Sequence, residues 1–98
     1  MAFYMITYGL YQITDAYIGL SEEETIQSAR PLIDQWPEYA DMEDEGILDW
    51  LRADQCEFDM VQIRSQWPGE GISLDEMIQL YDNNSVPART YLKDNHTS

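Results

Sequence analysis

The chain has 98 residues, with 19 acidic side chains against 5 basic ones and a formal net charge of −14. That length fits one small domain, and that charge argues against direct binding to nucleic-acid phosphates or to anionic membrane surfaces, both of which it would repel. Leu, Ile, Val and Phe total 21 residues, near the level at which high net charge predicts disorder, but seven Tyr, three Trp and five Met raise the hydrophobic share to 44%. A disordered acidic tail would lack those aromatics, so a folded domain with a modest core is expected.

No apolar run approaches the ~20 residues of a membrane span. No Lys or Arg precedes the first apolar stretch, so no secretory signal is expected. The single cysteine, Cys56, cannot form an intrachain disulfide, which favours a reducing, cytoplasmic setting. In that setting the Asn-X-Ser/Thr triplets at Asn83 and Asn95 read as chance matches.

Residues 3–20 are rich in aromatic and β-branched side chains, with Tyr4, Ile6, Tyr8 and Leu10 alternating against Phe3, Met5 and Thr7. That period of two predicts two short strands turning at Gly9 or at Thr14-Asp15, although Tyr4, Tyr8 and Tyr11 also fit one helical face. Ser21 and Glu24 form a capping box, and Ile26, Ala29, Ile33 and Trp36 recur at helical spacing behind it. Pro31 predicts a kink or a restart in that helix, and Trp36-Pro37 its end. Asp41 is placed as the cap of a second helix to about Arg52, with Ile47, Leu48, Trp50 and Leu51 inward and Gly46 costing about 1 kcal/mol relative to Ala. Residues 56–64 fit either a helix or a strand, and Trp67 to Gly71 read as a loop. Ser73 and Glu76 form a second capping box ahead of Leu74, Met77, Ile78 and Tyr81, and Asn83-Asn84 provide a stop. A short helix over 85–92 is expected after that, followed by fraying from Lys93 onward.

Charge is concentrated in the middle of the chain. Between Asp34 and Asp59 lie ten acids (Asp34, Glu38, Asp41, Glu43, Asp44, Glu45, Asp49, Asp54, Glu57 and Asp59) and one base, Arg52. On a continuous helix, Asp41, Glu45 and Asp49 would fall on one face about 6 Å apart, a spacing comparable to that of phosphates along a DNA strand that rises ~3.4 Å per base pair. Like charges at this spacing destabilise a helix by a few tenths of a kcal/mol per pair. Their retention suggests a cation-seeking surface; the alternative is a solvated face that only keeps the protein soluble. Trp36, Tyr39 and Trp50 flank the segment and are the candidate aromatic anchors of a partner surface with a charged rim.

Other chemistries find less support. Residues 41–52 resemble an EF-hand loop in the acids Asp41, Glu43, Glu45 and Asp49 and in Gly46, but Arg52 stands where a bidentate Glu is required. Residues 74–93 resemble a helix-turn-helix with Arg89 and Lys93 on the second helix, two cations against a charge of −14. His96 lies near the end of the chain, and negative charge around Cys56 disfavours its thiolate. No nucleophile–base pair, phosphate loop or zinc-ligand spacing is present, so neither an enzyme nor a cofactor or metal is expected.

In size and charge, over the whole chain, the sequence resembles phage-encoded anti-restriction and anti-CRISPR proteins, several of which act as DNA mimics. The resemblance is one of character and is carried by no motif. It implies action in the host-cell cytoplasm against a nuclease or multisubunit defence complex, with carboxylates taking the place of phosphates on a basic nucleic-acid-binding protein. The alternative is an acidic immunity or adaptor protein, as among barstar-like and colicin-immunity-like inhibitors, binding a toxin or enzyme through a compact acidic and aromatic patch. The expected fold is α+β, a single domain over residues 1–93 with a short N-terminal β-hairpin packed on three or four helices, and a frayed tail at 94–98.

Overall fold

A computed structural model of the chain describes residues 2–52 and 57–87. Among these residues four antiparallel strands form one sheet, and four helices accompany it, an α+β arrangement. β1 (Phe3–Tyr8) lies inside the sheet, paired on one side with β2 (Asp15–Gly19) and on the other with β3 (Phe58–Ile63). β4 (Ser85–Pro87) extends β3, giving the order β2-β1-β3-β4.

The interior position of β1 explains its composition. Phe3, Met5, Ile6 and Thr7 are all buried, because both faces of the strand are covered. On one face, Ile6, Phe58 and Met60 pack against Ile26, Ala29 and Ile33 of α1 (Glu22–Ile33) and Ile47 and Leu51 of α3 (Asp44–Arg52). On the other, Phe3, Met5, Val61 and Ile63 meet Met77, Leu80 and Tyr81 of α4 (Leu74–Asn84), with Trp67 closing the end by an edge contact to Phe3 at 5.3 Å. The segment that fitted either helix or strand is therefore β3. A strand covered on both faces has no polar side, so its apolar run loses the alternation that marks a half-exposed strand.

The helix boundaries follow local chemistry. Ser21 caps α1 through its hydroxyl, which accepts from the Glu24 N–H at 3.1 Å. The Glu24 carboxylate reaches back to the Leu20 N–H instead of the Ser21 N–H, so only half of the expected capping box forms here. Pro31 neither ends nor restarts α1, which continues to Ile33. Gln27 and Pro31 are both exposed, so the carbonyl that Pro31 cannot serve is open to water. α1 also starts close against β2: a Cβ on Gly19 would lie 2.6 Å from the Thr25 backbone nitrogen.

Pro37 opens a separate short helix, α2 (Pro37–Ala40), and Asp41 closes it, with its N–H bonded to the Tyr39 carbonyl. Asp41 therefore does not cap α3, which begins at Asp44. At α4 both halves of the Ser73–Glu76 capping box are present, and the helix ends at Asn84 as its sequence suggests. Its buried face differs from the expected one: Leu80 packs inward, whereas Leu74 at the first position is exposed. Ser73→Ala is expected to lower stability by about 1 kcal/mol through the lost cap, measurable by urea unfolding; an unchanged midpoint would contradict it.

Residues 85–87 pair with β3 as a strand, so the helix expected over 85–92 does not begin at Ser85, and the rest of it, with the remainder of the second element of the helix-turn-helix resemblance, lies outside the described residues. Arg89, Lys93 and the tail at 94–98 lie outside the described residues.

Candidate functional site

The acids of the central segment do not form one surface. Asp34 caps α1, Glu38 sits on α2, Asp41 closes α2, and Glu43, Asp44, Glu45 and Asp49 lie at the start of α3 or along it. These seven belong to the helical layer over one face of the sheet. Asp59 is on β3 opposite Thr7, and thus on the α4 face, with Glu57 just before that strand. Asp54 and Cys56 are outside the described residues, as is His96. Because Asp41 ends α2, the expected row of Asp41, Glu45 and Asp49 along one helix does not form; only Glu45 and Asp49 share α3.

Arg30 organises this layer. From the last turn of α1 its guanidinium lies 3.5 Å from the Asp34 carboxylate and 3.4 Å from that of Asp44. It also donates to the backbone carbonyls of Tyr39 and Met42, which holds α2 and the approach to α3 against α1. Arg52 is likewise engaged, 3.0 Å from Glu22. Between Glu22 and Arg52 these are the only two basic residues, against ten acids, and both turn to partners inside the layer. Glu38, Asp41, Glu43, Glu45 and Asp49 are exposed and make no ion pair among the described residues. Sequence reasoning missed Arg30, although its i,i+4 spacing to Asp34 was a readable signal.

Trp36, Tyr39 and Trp50 come together, as part of a larger cluster that also includes Tyr8 and Phe58. Tyr39 and Trp50 stack with centroids 4.3 Å apart, and Trp50 meets Phe58 at 5.3 Å. Trp36 contacts Phe58 at 5.6 Å and Tyr8 at 5.4 Å, and Tyr8 lies opposite Phe58 in the strand pairing. The three candidate anchors are half-buried and packed on the core, so their first role is structural.

On the α4 face, the Tyr81 hydroxyl donates to the Asp59 carboxylate at 2.9 Å. Burial, that hydrogen bond and the negative charges of Asp59 and Asp82 push the Tyr81 phenol up from 10 to about 12. Burial and Asp15 raise the Tyr17 phenol as well. The folded state therefore keeps the Tyr81 proton where the unfolded chain releases it. That contribution to stability is complete below pH 10 and is lost as the pH rises to about 12. Tyr81→Phe should flatten the fall in stability over this alkaline window; parallel pH profiles for the two proteins would contradict the assignment.

Among the described residues no three His, Cys, Asp or Glu side chains are grouped to hold a metal ion. The segment resembling an EF-hand loop is helical from Asp44 onward, so its acids do not surround a common centre. No helix among these residues is long and apolar enough to cross a membrane. Compared with protein-family models, curated proteins and solved structures, the chain matches none.

Proposed function

We propose that this protein is a small acidic inhibitor that occupies the basic, nucleic-acid-binding groove of another protein, in the manner of a DNA mimic. The observation that carries the reading is the exposed set Glu38, Asp41, Glu43, Glu45 and Asp49, beside two arginines already engaged within the layer. Such a face attracts Lys and Arg over a distance and gives fast, salt-sensitive association. A host defence complex, a CRISPR effector or a restriction enzyme, is the target class suggested by the chain's size and charge. Neither catalysis nor a cofactor enters this mechanism.

A second reading, an acidic immunity or adaptor protein, is favoured by the ring cluster at Trp36, Tyr39 and Trp50 and by the absence of the three-residue row along one helix. The two readings differ in how binding energy is distributed. For a mimic, each single change among Glu38→Gln, Glu43→Gln, Glu45→Gln and Asp49→Asn should weaken binding to the retained partner by about twofold to fivefold, and the four together far more. An aromatic-centred interface should instead lose about 2 kcal/mol or more at one position. A single dominant position would overturn the mimic reading.

A further inference from the structure

The turn between β1 and β2, residues 9–14, presents an apolar pair to solvent: Leu10 is 57% exposed and Tyr11 is 97% exposed. The turn is tied down. The Gly9 N–H donates to the Glu57 carbonyl at 2.9 Å, and the Thr14 N–H to the Tyr8 carbonyl at 2.9 Å. Gly9 has φ +140, and a Cβ there would lie 1.9 Å from the Gln12 carbonyl oxygen, so the chain folds tightly on itself at this point. An exposed aromatic held in a fixed turn is the kind of group that binds without a large ordering cost.

Beside the turn is an open groove of about 620 Å³ on the α4 face of the sheet, away from α1 and α3. Glu57, Asp59 and Asp82 contribute carboxylates to its walls, Ile13 and Ile78 contribute apolar surface, and among the described residues no Lys or Arg lines it. The Tyr81 hydroxyl fixes one side of Asp59. The acids are too dispersed to form a metal cluster among the described residues. A dispersed anionic wall next to an exposed ring suits a large, planar, delocalised cation, which can hydrogen-bond at several points and stack on tyrosine.

We propose that this groove and the Leu10–Tyr11 tip form a docking site for a protein segment carrying an arginine next to an apolar residue. Charge complementarity selects a cationic side chain, the exposed apolar pair selects an apolar neighbour, and the fork of donors selects arginine over lysine. The site is separate from the α2–α3 face and does not depend on the reading given for that face.

The test uses the full chain labelled with ¹⁵N and titrated, at physiological salt, with the probe N-acetyl-Arg-Leu-amide and with its Lys and Glu counterparts. The arginine probe should move the amides of residues 9–13, Asp59 and Asp82, and the glutamate probe should not. Tyr11→Ala, and the pair Glu57→Gln with Asp82→Asn, should each weaken the arginine probe about fivefold or more, whereas Glu23→Gln with Glu70→Gln, which removes equal charge away from both this groove and the α2–α3 face, should change it less than about twofold. All of these side chains are exposed, so the variants are expected to fold. No movement at residues 9–13, or equal weakening by both neutralised pairs, would overturn the site. Equal binding of the lysine probe would overturn the assignment to arginine.

Discussion

Phe58→Ala is expected to cost about 3–5 kcal/mol of unfolding free energy, the largest loss from any single truncation in the helical-face core. Phe58 is 3% exposed and touches the rings of Tyr8, Trp36 and Trp50. Those neighbours cannot collapse into the space it would leave. Tyr8 is fixed by strand pairing on both sides, Trp36 leads into the Pro37 turn, and Trp50 belongs to α3. A domain of this size has about 5–15 kcal/mol in total, so the variant will be poorly folded or nearly so. Phe58→Leu, which keeps most of the volume, should cost less than about 1.5 kcal/mol and remain folded. Urea unfolding followed by tryptophan fluorescence measures both. A loss below about 1 kcal/mol for Phe58→Ala would mean that the rings are not a packed core.

Arg30→Met is expected to cost about 2–4 kcal/mol, a large effect for a residue on a helical surface. The substitution removes the donor shared by the Tyr39 and Met42 carbonyls and the counter-charge of Asp34 and Asp44 together. It also leaves Glu38, Asp41, Glu43 and Glu45 repelling one another around the α2 turn, so added salt should recover part of the loss. Arg30→Lys should recover little, because a single ammonium cannot span acceptors on four residues. A loss below about 1 kcal/mol, or full rescue by lysine, would show that Arg30 does not organise the layer.

What the sequence made legible, and what it did not, follows from the range of the interactions. Capping at Ser21 and Ser73 and the strand character of residues 3–8 depend on neighbours a few positions apart, and both could be read directly. The central place of β1 was also present in the sequence, since its alternate positions are apolar on both faces, but such a strand resembles half of a hairpin until its second partner is known. That partner, β3, was ambiguous for the same reason. β4 has three residues and exists through its register with β3, which no local pattern reveals. Asp41 was misplaced because Pro37 begins its own turn and uses Asp41 to close it.

The acidic character of the site was evident from composition, but its internal division was not. Asp44 is held by Arg30 through packing between α1 and α3, a contact between residues fourteen positions apart that no local pattern reveals, whereas the Arg30–Asp34 pair lies within one helical turn. Asp59 separates from the α3 acids because alternation along β3 turns its side chain to the opposite face of the sheet, a consequence that follows once residues 58–63 are a strand. Trp36, Tyr39 and Trp50 flank the acidic segment in the sequence, but their packing with Tyr8 and Phe58 depends on the fold of residues 58–63 as a strand, which their own positions do not reveal.

Affinity capture tests whether the carboxylates of α2 and α3 compete with nucleic acid for a basic site, as proposed. The full chain and its Glu38→Gln, Glu43→Gln, Glu45→Gln, Asp49→Asn variant would each be immobilised and exposed to cell lysate at low salt, then eluted with duplex DNA or with high salt. The unaltered chain is expected to retain a nucleic-acid-binding protein or complex that both DNA and salt release, and the neutralised variant is expected not to retain it. A retained partner indifferent to DNA and salt, and held equally well by the neutralised variant, would contradict the proposed competition.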